Sequence, residues 1–218
     1  MKILETILPR KIKSPLFRLG NPHDGGYVVD VEALHRVDSL YTYGVGGNTT
    51  FELDFYEKTK KPVYMFDHTV NDPKIENLNF RKEGLAAFCN KNFNNFISCN
   101  LHHHVLLKID VEGAEVDWIK AMDFSKIAVD TMIIEFHNLL SDLPLIEKIK
   151  EHYNIIWIHP NNSGGMTAGF PNVLEVTFVA KKLDIFEGWA RCKYPLKIDS
   201  PNIPNKPDYI LDFRPIYL

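Results

Sequence analysis

Short apolar runs punctuate this chain, and each stops at glycine or at a polar residue. Leu40-Tyr41-Thr42-Tyr43 runs into Gly44-Val45-Gly46-Gly47-Asn48, and Val63-Tyr64-Met65-Phe66 stops at Asp67-His68. Val105-Leu106-Leu107-Lys108-Ile109 stops at Asp110, and Thr131-Met132-Ile133-Ile134-Glu135-Phe136 stops at His137-Asn138. Runs of this length, rich in β-branched and aromatic residues, predict buried strands. Between them the apolar spacing becomes helical. Phe51 with Phe55, and Leu53 with Tyr56, share faces of a helix expected over about residues 50 to 59, with Asn48 or Thr49 as its N-cap. Trp118 and Met122 mark a helix behind Asp110. Ser141 and Pro144 signal the start of another, from about 143 to 152. A short strand is expected near 78 to 80, ahead of Glu83-Gly84-Leu85.

Strands alternating with helices predict βαβ units and a parallel sheet. The last two strands, Ile155-Ile156-Trp157-Ile158-His159 and Val173 onward to Val179, have only a Pro, Asn, Ser and Gly loop between them, so they are expected to be antiparallel. The fold class is therefore α/β, a Rossmann-like, mostly parallel sheet of about seven strands with an antiparallel end strand. Residues 1–38 read as an irregular leader containing Asp24-Gly25-Gly26-Tyr27. Residues 39–182 read as the main domain. Residues 183–218, with Pro201, Pro204, Pro207 and Pro215, read as an extended tail packed on that domain.

The bulk numbers narrow the field. The net charge is -3 over 218 residues, which gives no sign of a polyanion binder and leads to an expectation of no nucleic acid and no membrane partner. Cys89, Cys99 and Cys192 lack metal-ligand spacing and read as reduced thiols in a cytoplasmic protein. No apolar run approaches the roughly 20 residues of a membrane span, and Met1-Lys2-Ile3-Leu4-Glu5 does not read as a signal peptide. A homo-oligomer is left open.

The chemistry concentrates at strand ends, where open α/β sheets bind ligands. Gly44-x-Gly46-Gly47 lets backbone approach a ligand, but it also suits a plain strand-to-helix turn. Asp67 stands where an acid can bond ribose hydroxyls, or can act as a cap. Asp110, Glu112, Glu135 and His137 lie on adjacent strand ends. His137 has the chemistry of a general base, and Asp110 with His137 could hold Mg²⁺ or Mn²⁺. Glu112 and Glu115 also suit a helix N-terminus, and for Glu115 that plain role is preferred. His102-His103-His104 reads as a polar loop rather than a metal site. His159-Pro160-Asn161-Asn162 offers groups that recognise hydroxyls, or forms a turn.

Taken in order, these pieces resemble the FkbM-type S-adenosylmethionine-dependent methyltransferases. The most specific match is Leu106-Leu107-Lys108-Ile109-Asp110-Val111-Glu112-Gly113-Ala114-Glu115, supported by Ile133-Ile134-Glu135-Phe136-His137, Asp24-Gly25-Gly26-Tyr27, the Gly44–Gly47 turn with Phe51-Glu52, and Phe66-Asp67-His68-Thr69. His159-Pro160-Asn161-Asn162 and Leu174-Glu175-Val176-Thr177-Phe178 continue it. The family often has Glu-Pro where this chain has Asp67-His68. The resemblance implies a seven-stranded methyltransferase fold and O-methylation of a sugar, either nucleotide-linked or part of a surface polysaccharide. It places S-adenosylmethionine against Gly44, Gly46, Asn48, Glu52, Asp67, His68, Gly84, Leu85 and Asp110. It suggests catalytic parts for Asp110, His137 and Glu112, and acceptor contacts from Asp24, Tyr27, His159, Asn161 and Asn162. A nicotinamide-dependent sugar oxidoreductase and a non-catalytic nucleotide-binding module are the alternatives.

Overall fold

The computed structural model describes residues 2–85 and 104–216. Cys89, Cys99, His102 and His103 fall outside them. His104 is described, and its Nδ1 lies 2.6 Å from an oxygen of the buried Asp130.

The N-terminal segment is built, not irregular. It comprises α1 (Lys2–Thr6), β1 (Arg10–Ile12), β2 (Leu16–Gly20), β3 (Gly26–Asp30) and α2 (Val31–Arg36). β2 and β3 form an antiparallel hairpin in which Leu19 faces Tyr27. β3 is buried throughout, and the turn-rich Asn21 to Gly25 stretch is simply the hairpin connection.

Next come β4 (Ser39–Tyr43), α3 (Thr50–Thr59), β5 (Val63–Phe66), β6 (Asn79–Arg81), β7 (Val105–Ile109), α4 (Glu115–Ala121), β8 (Val129–Phe136) and α5 (Leu139–Lys150). The long strands β9 (Tyr153–Thr167) and β10 (Phe170–Ala180) follow. Short β11 (Phe186–Trp189), β12 (Lys193–Tyr194) and β13 (Leu211–Asp212) complete the tail. The main sheet has seven strands in the order β6-β5-β4-β7-β8-β10-β9. β4 pairs in parallel with β5 and β7, and β7 with β8. β10 is antiparallel to both β8 and β9. This is the Rossmann-like methyltransferase arrangement: the chain starts in the middle, winds one way to β6, then the other way from β7.

Strand alternation sorts the core onto two faces. Tyr41, Leu107, Ile109 and Ile134 pack against α4 and α5 residues such as Trp118, Ile119 and Ile146. Leu40, Met65, Leu106 and Ile133 pack with Phe51 and Phe55 of α3 and with Leu19 and Tyr27 of the hairpin. Even-numbered positions of β7 and odd-numbered positions of β8 thus point toward Tyr27. Ile7, Leu8, Tyr194, Leu211 and Phe213 also join the first cluster, so both ends of the chain share the sheet's core.

Two boundaries differ from expectation. α5 begins at Leu139, and Pro144 lies inside it. Pro144 is on the exposed side, where the carbonyl freed by its missing N–H can meet water. Of the two readings left open for His159 to Asn162, the turn is not found: the stretch is strand, with Pro160 opposite Leu174. Proline is tolerated there because β9 is the edge of the sheet and needs no donor on its outer side. The real turn is at Ala168-Gly169, both with positive φ.

Candidate active site

A cavity of about 620 Å³ opens beyond the carboxyl ends of β4, β5 and β7, a volume typical of small-ligand sites. It lies between the strands where the winding reverses, the place at which open α/β sheets bind ligands.

Its floor is the glycine turn. Gly44 has φ 76°, and a Cβ there would lie 1.5 Å from the carbonyl oxygen of Asp110. Only glycine lets the end of β4 pass β7 this closely. Cβ atoms at Gly46 and Gly47 would meet nothing within 4 Å, so these glycines leave their space to the cavity. Asp67 holds the turn from beside it. Its Oδ2 accepts from the Val45 and Gly46 N–H groups at 3.0 and 2.8 Å. Its Oδ1 accepts from Thr69 N–H and Oγ1 at 2.7 and 2.6 Å. Burial pushes this carboxyl up, but the hydrogen bonds from Thr69, Gly46 and Val70 outweigh it and hold it below the ordinary Asp value. Asn48 accepts from Thr50 N–H at the start of α3 and donates to the Asp24 carbonyl. Asp24, His68, Gly84, Leu85 and Glu112 also line the cavity.

Glu52 does not line it. This residue is fully buried behind the turn, accepts from Thr42 Oγ1 at 2.8 Å and pairs with Lys108 Nζ at 3.6 Å. Its expected cofactor contact is therefore corrected to a support for Lys108. Burial works against the charge of Lys108, but Glu52, Asp110 and Glu135 raise its pKa, so the ammonium stays charged.

Asp110, at the end of β7, faces Tyr27 and the end of β8. The Tyr27 hydroxyl lies 2.9 Å from Asp110 Oδ2 and 3.3 Å from Glu135 Oε2. One hydroxyl proton serves one carboxylate. Burial, reinforced by Asp110 and Glu175, pushes Glu135 well above the ordinary Glu value, so Glu135 can carry a proton and donate it back to Tyr27. Burial also raises Asp110 despite Lys108 and the Tyr27 hydrogen bond.

His137 sits beside this pair. Its Nδ1 is 3.1 Å from Glu115 Oε1, while Glu115 Oε2 accepts from Gly113 N–H at 2.8 Å. Glu115 is fully buried. It is more than the plain helix-start acid expected of it, because it fixes the proton on Nδ1 and leaves Nε2 turned toward Glu112 and Asp110, at 3.4 and 3.9 Å. Burial lowers the His137 pKa, but the neighbouring carboxylates, Glu115 first, raise it overall. Glu115 was legible as the end of the Glu112-Gly113-Ala114-Glu115 turn, but no spacing rule links it to a histidine one strand away.

The acceptor residues expected on β9 are covered. Asn162 binds the tail backbone. It accepts from Ile203 N–H and donates to the Ile203 and Lys206 carbonyls. His159 lies between Glu175 and Asp208. Asn161 donates to Glu135 Oε1 at 2.9 Å. All three are buried and none lines the cavity. Their direct contact with an acceptor is corrected to anchoring of the tail, for His159 and Asn162, and of Glu135, for Asn161. The tail also contributes Asn202, buried and outside the cavity lining, which sequence reasoning passed over. Its amide donates to Asp24 Oδ1 at 3.2 Å and to Glu175 Oε1 at 2.8 Å.

No family model matches this chain, and no curated protein matches it. Solved structures do. A Methanococcus jannaschii fibrillarin pre-rRNA processing protein is 12% identical with a TM-score of 0.44, over 69% of this chain and 70% of its own. An rRNA methylase from Streptococcus thermophilus is 13% identical with a TM-score of 0.39, over 68% and 91%. A Streptococcus mutans protein solved in complex with SAH is 11% identical with a TM-score of 0.39, over 68% and 93%. Because an rRNA methylase and a pre-rRNA processing protein are similar to this chain, the expected exclusion of nucleic acid as a partner is withdrawn. Net charge is a whole-chain sum and says nothing of local patches. Among the described residues, no helix is long and apolar enough to cross a membrane.

Proposed function

We propose that this chain is an S-adenosylmethionine-dependent methyltransferase of the FkbM type, transferring a methyl group to a hydroxyl oxygen of a sugar. The observation that carries the reading is the cavity at the winding reversal, floored by Gly44 to Gly47 and bordered by Asp110. The space left at Gly46 and Gly47 fits an extended cofactor laid over the turn. Asp67 shapes that turn, since its oxygens already serve four protein donors. His68, Gly84 and Leu85 border the far end.

The cofactor supplies a methyl group on a positively charged sulfur. The protein's part is to aim the acceptor oxygen in line and to take its proton. His137 Nε2 is the group placed to receive that proton, with Glu115 stabilising the imidazolium. Asp24 and Asp110, both on the cavity wall, present acceptor atoms suited to sugar hydroxyls, and Tyr27 fixes Asp110.

Calorimetric titration with S-adenosylmethionine, S-adenosylhomocysteine and NADH tests the class. Micromolar binding of the first two supports it. Binding of NADH alone would replace it with the oxidoreductase reading, and binding of none would reduce it to a fold analogy.

A further inference from the structure

We propose that Asp110, Glu135 and His137 form a divalent-cation site on the acceptor side of the cavity. Each offers one ligand atom, and these atoms lie within 4.8 Å of one another. Ligand atoms around one ion at about 2.1 to 2.4 Å stand roughly 3 to 4.8 Å apart, so a small side-chain adjustment lets the three share an ion. Two carboxylates with one imidazole suit the Mg²⁺–Mn²⁺–Fe²⁺ range rather than a soft thiolate-seeking metal.

The surroundings are arranged as around a metal, where supporting hydrogen bonds orient the ligands. Glu115 takes the Nδ1 side of His137 and leaves Nε2 free to coordinate. Tyr27 orients Asp110, and Asn161 orients Glu135. Lys108 is the one lysine or arginine among the described residues lining the cavity; Asp110 and Glu135 feel its charge, but its Nζ is shared with Glu52 and the Gly44 carbonyl, so the two carboxylates can still accommodate a cation. A bound cation would displace the proton from Glu135 and take the Nε2 lone pair, so His137 would then be a ligand and not the base; an acceptor hydroxyl drawn to the ion would be more acidic and would lose its proton to water. That last step rests on the methyltransferase reading; the position of the ion rests on the side chains alone.

The test uses the full chain, stripped of metal and then titrated with Mn²⁺ while the paramagnetic resonance of the free ion is followed. One equivalent of Mn²⁺ is expected to bind. Glu135→Gln and Asp110→Asn should each weaken it by about tenfold or more, and Asp123→Asn, a remote exposed acid, should not. A free-ion signal undiminished by the wild-type protein overturns the site, as does wild-type affinity in both cavity variants. S-adenosylhomocysteine is titrated separately in EDTA. Its binding without Mn²⁺ binding sinks the cation site and leaves the methyltransferase reading intact, and Mn²⁺ binding without it does the reverse.

Discussion

Asp67→Asn separates two parts that an acid at this position can play. In the structure the carboxylate gives both oxygens to protein donors, two on the glycine turn and two at Thr69. Asparagine has the same shape but only one acceptor oxygen. Whichever way the amide turns, two hydrogen bonds are lost and an NH₂ group faces N–H or O–H donors. Hydrogen bonds to a charged acceptor contribute about 1.5 to 3 kcal/mol each, so the loss should be about 3 kcal/mol or more. At a urea slope of about 3 kcal/mol per molar, the midpoint should fall by about 1 M. The effect carries a pH signature. The folded Asp67 carboxyl titrates below its ordinary value, so its contribution is present above about pH 3.9 and is lost as pH falls through the folded value. The gap between wild type and variant should therefore close in acid. A variant with unchanged midpoint but weakened S-adenosylhomocysteine binding would refute the reasoning and return Asp67 to the ribose.

Other outcomes follow from the same geometry. Gly44→Ala drives a Cβ into the Asp110 carbonyl and should lower Tm by more than about 10 °C, whereas Gly47→Ala, with open space, should leave Tm within about 2 °C and weaken cofactor binding. Asn162→Ala removes the hydrogen bonds that hold Ile203 and Lys206; limited proteolysis should then cut the tail between residues 200 and 208 faster, and an unchanged cleavage rate would remove its anchoring role. His137 titrates above its ordinary value, so its stabilising contribution is full below about pH 6.5 and fades as pH rises through the folded value. Glu115→Gln should lower the His137 pKa in an NMR titration.

The sheet was legible because its parallel strands are buried on both faces and read as unbroken apolar runs, as in Val105 to Ile109. The hairpin around Tyr27 was not, because Leu16 to Gly20 is only half-buried and its turn looks like loop. Asp110 and His137 were found as polar stops at strand ends. Asn202 and the part Glu115 plays beside His137 were missed for a different reason: each acts through a partner far away in sequence, Glu175 and His137, and local spacing carries no trace of such pairs. The β9 polar residues were misread because a sequence shows what a side chain could bind, not that the chain's own tail, for His159 and Asn162, or Glu135, for Asn161, already occupies it.

That occupancy also bears on the order in which the molecule assembles. The glycine turn and Asp67 are 21 and 22 residues apart along the chain, a short loop to close. The bonds from Asn202 to Asp24 and from His23 to the Pro201 carbonyl each join residues 178 positions apart, and closing loops of that length costs more entropy before any contact compensates. Loop entropy alone therefore makes the contact of Asp67 with the glycine turn cheaper to close than the contact of the N-terminal hairpin with the tail. A chain with only the first contact closed would leave the Asp24 side of the cavity without the tail that braces it.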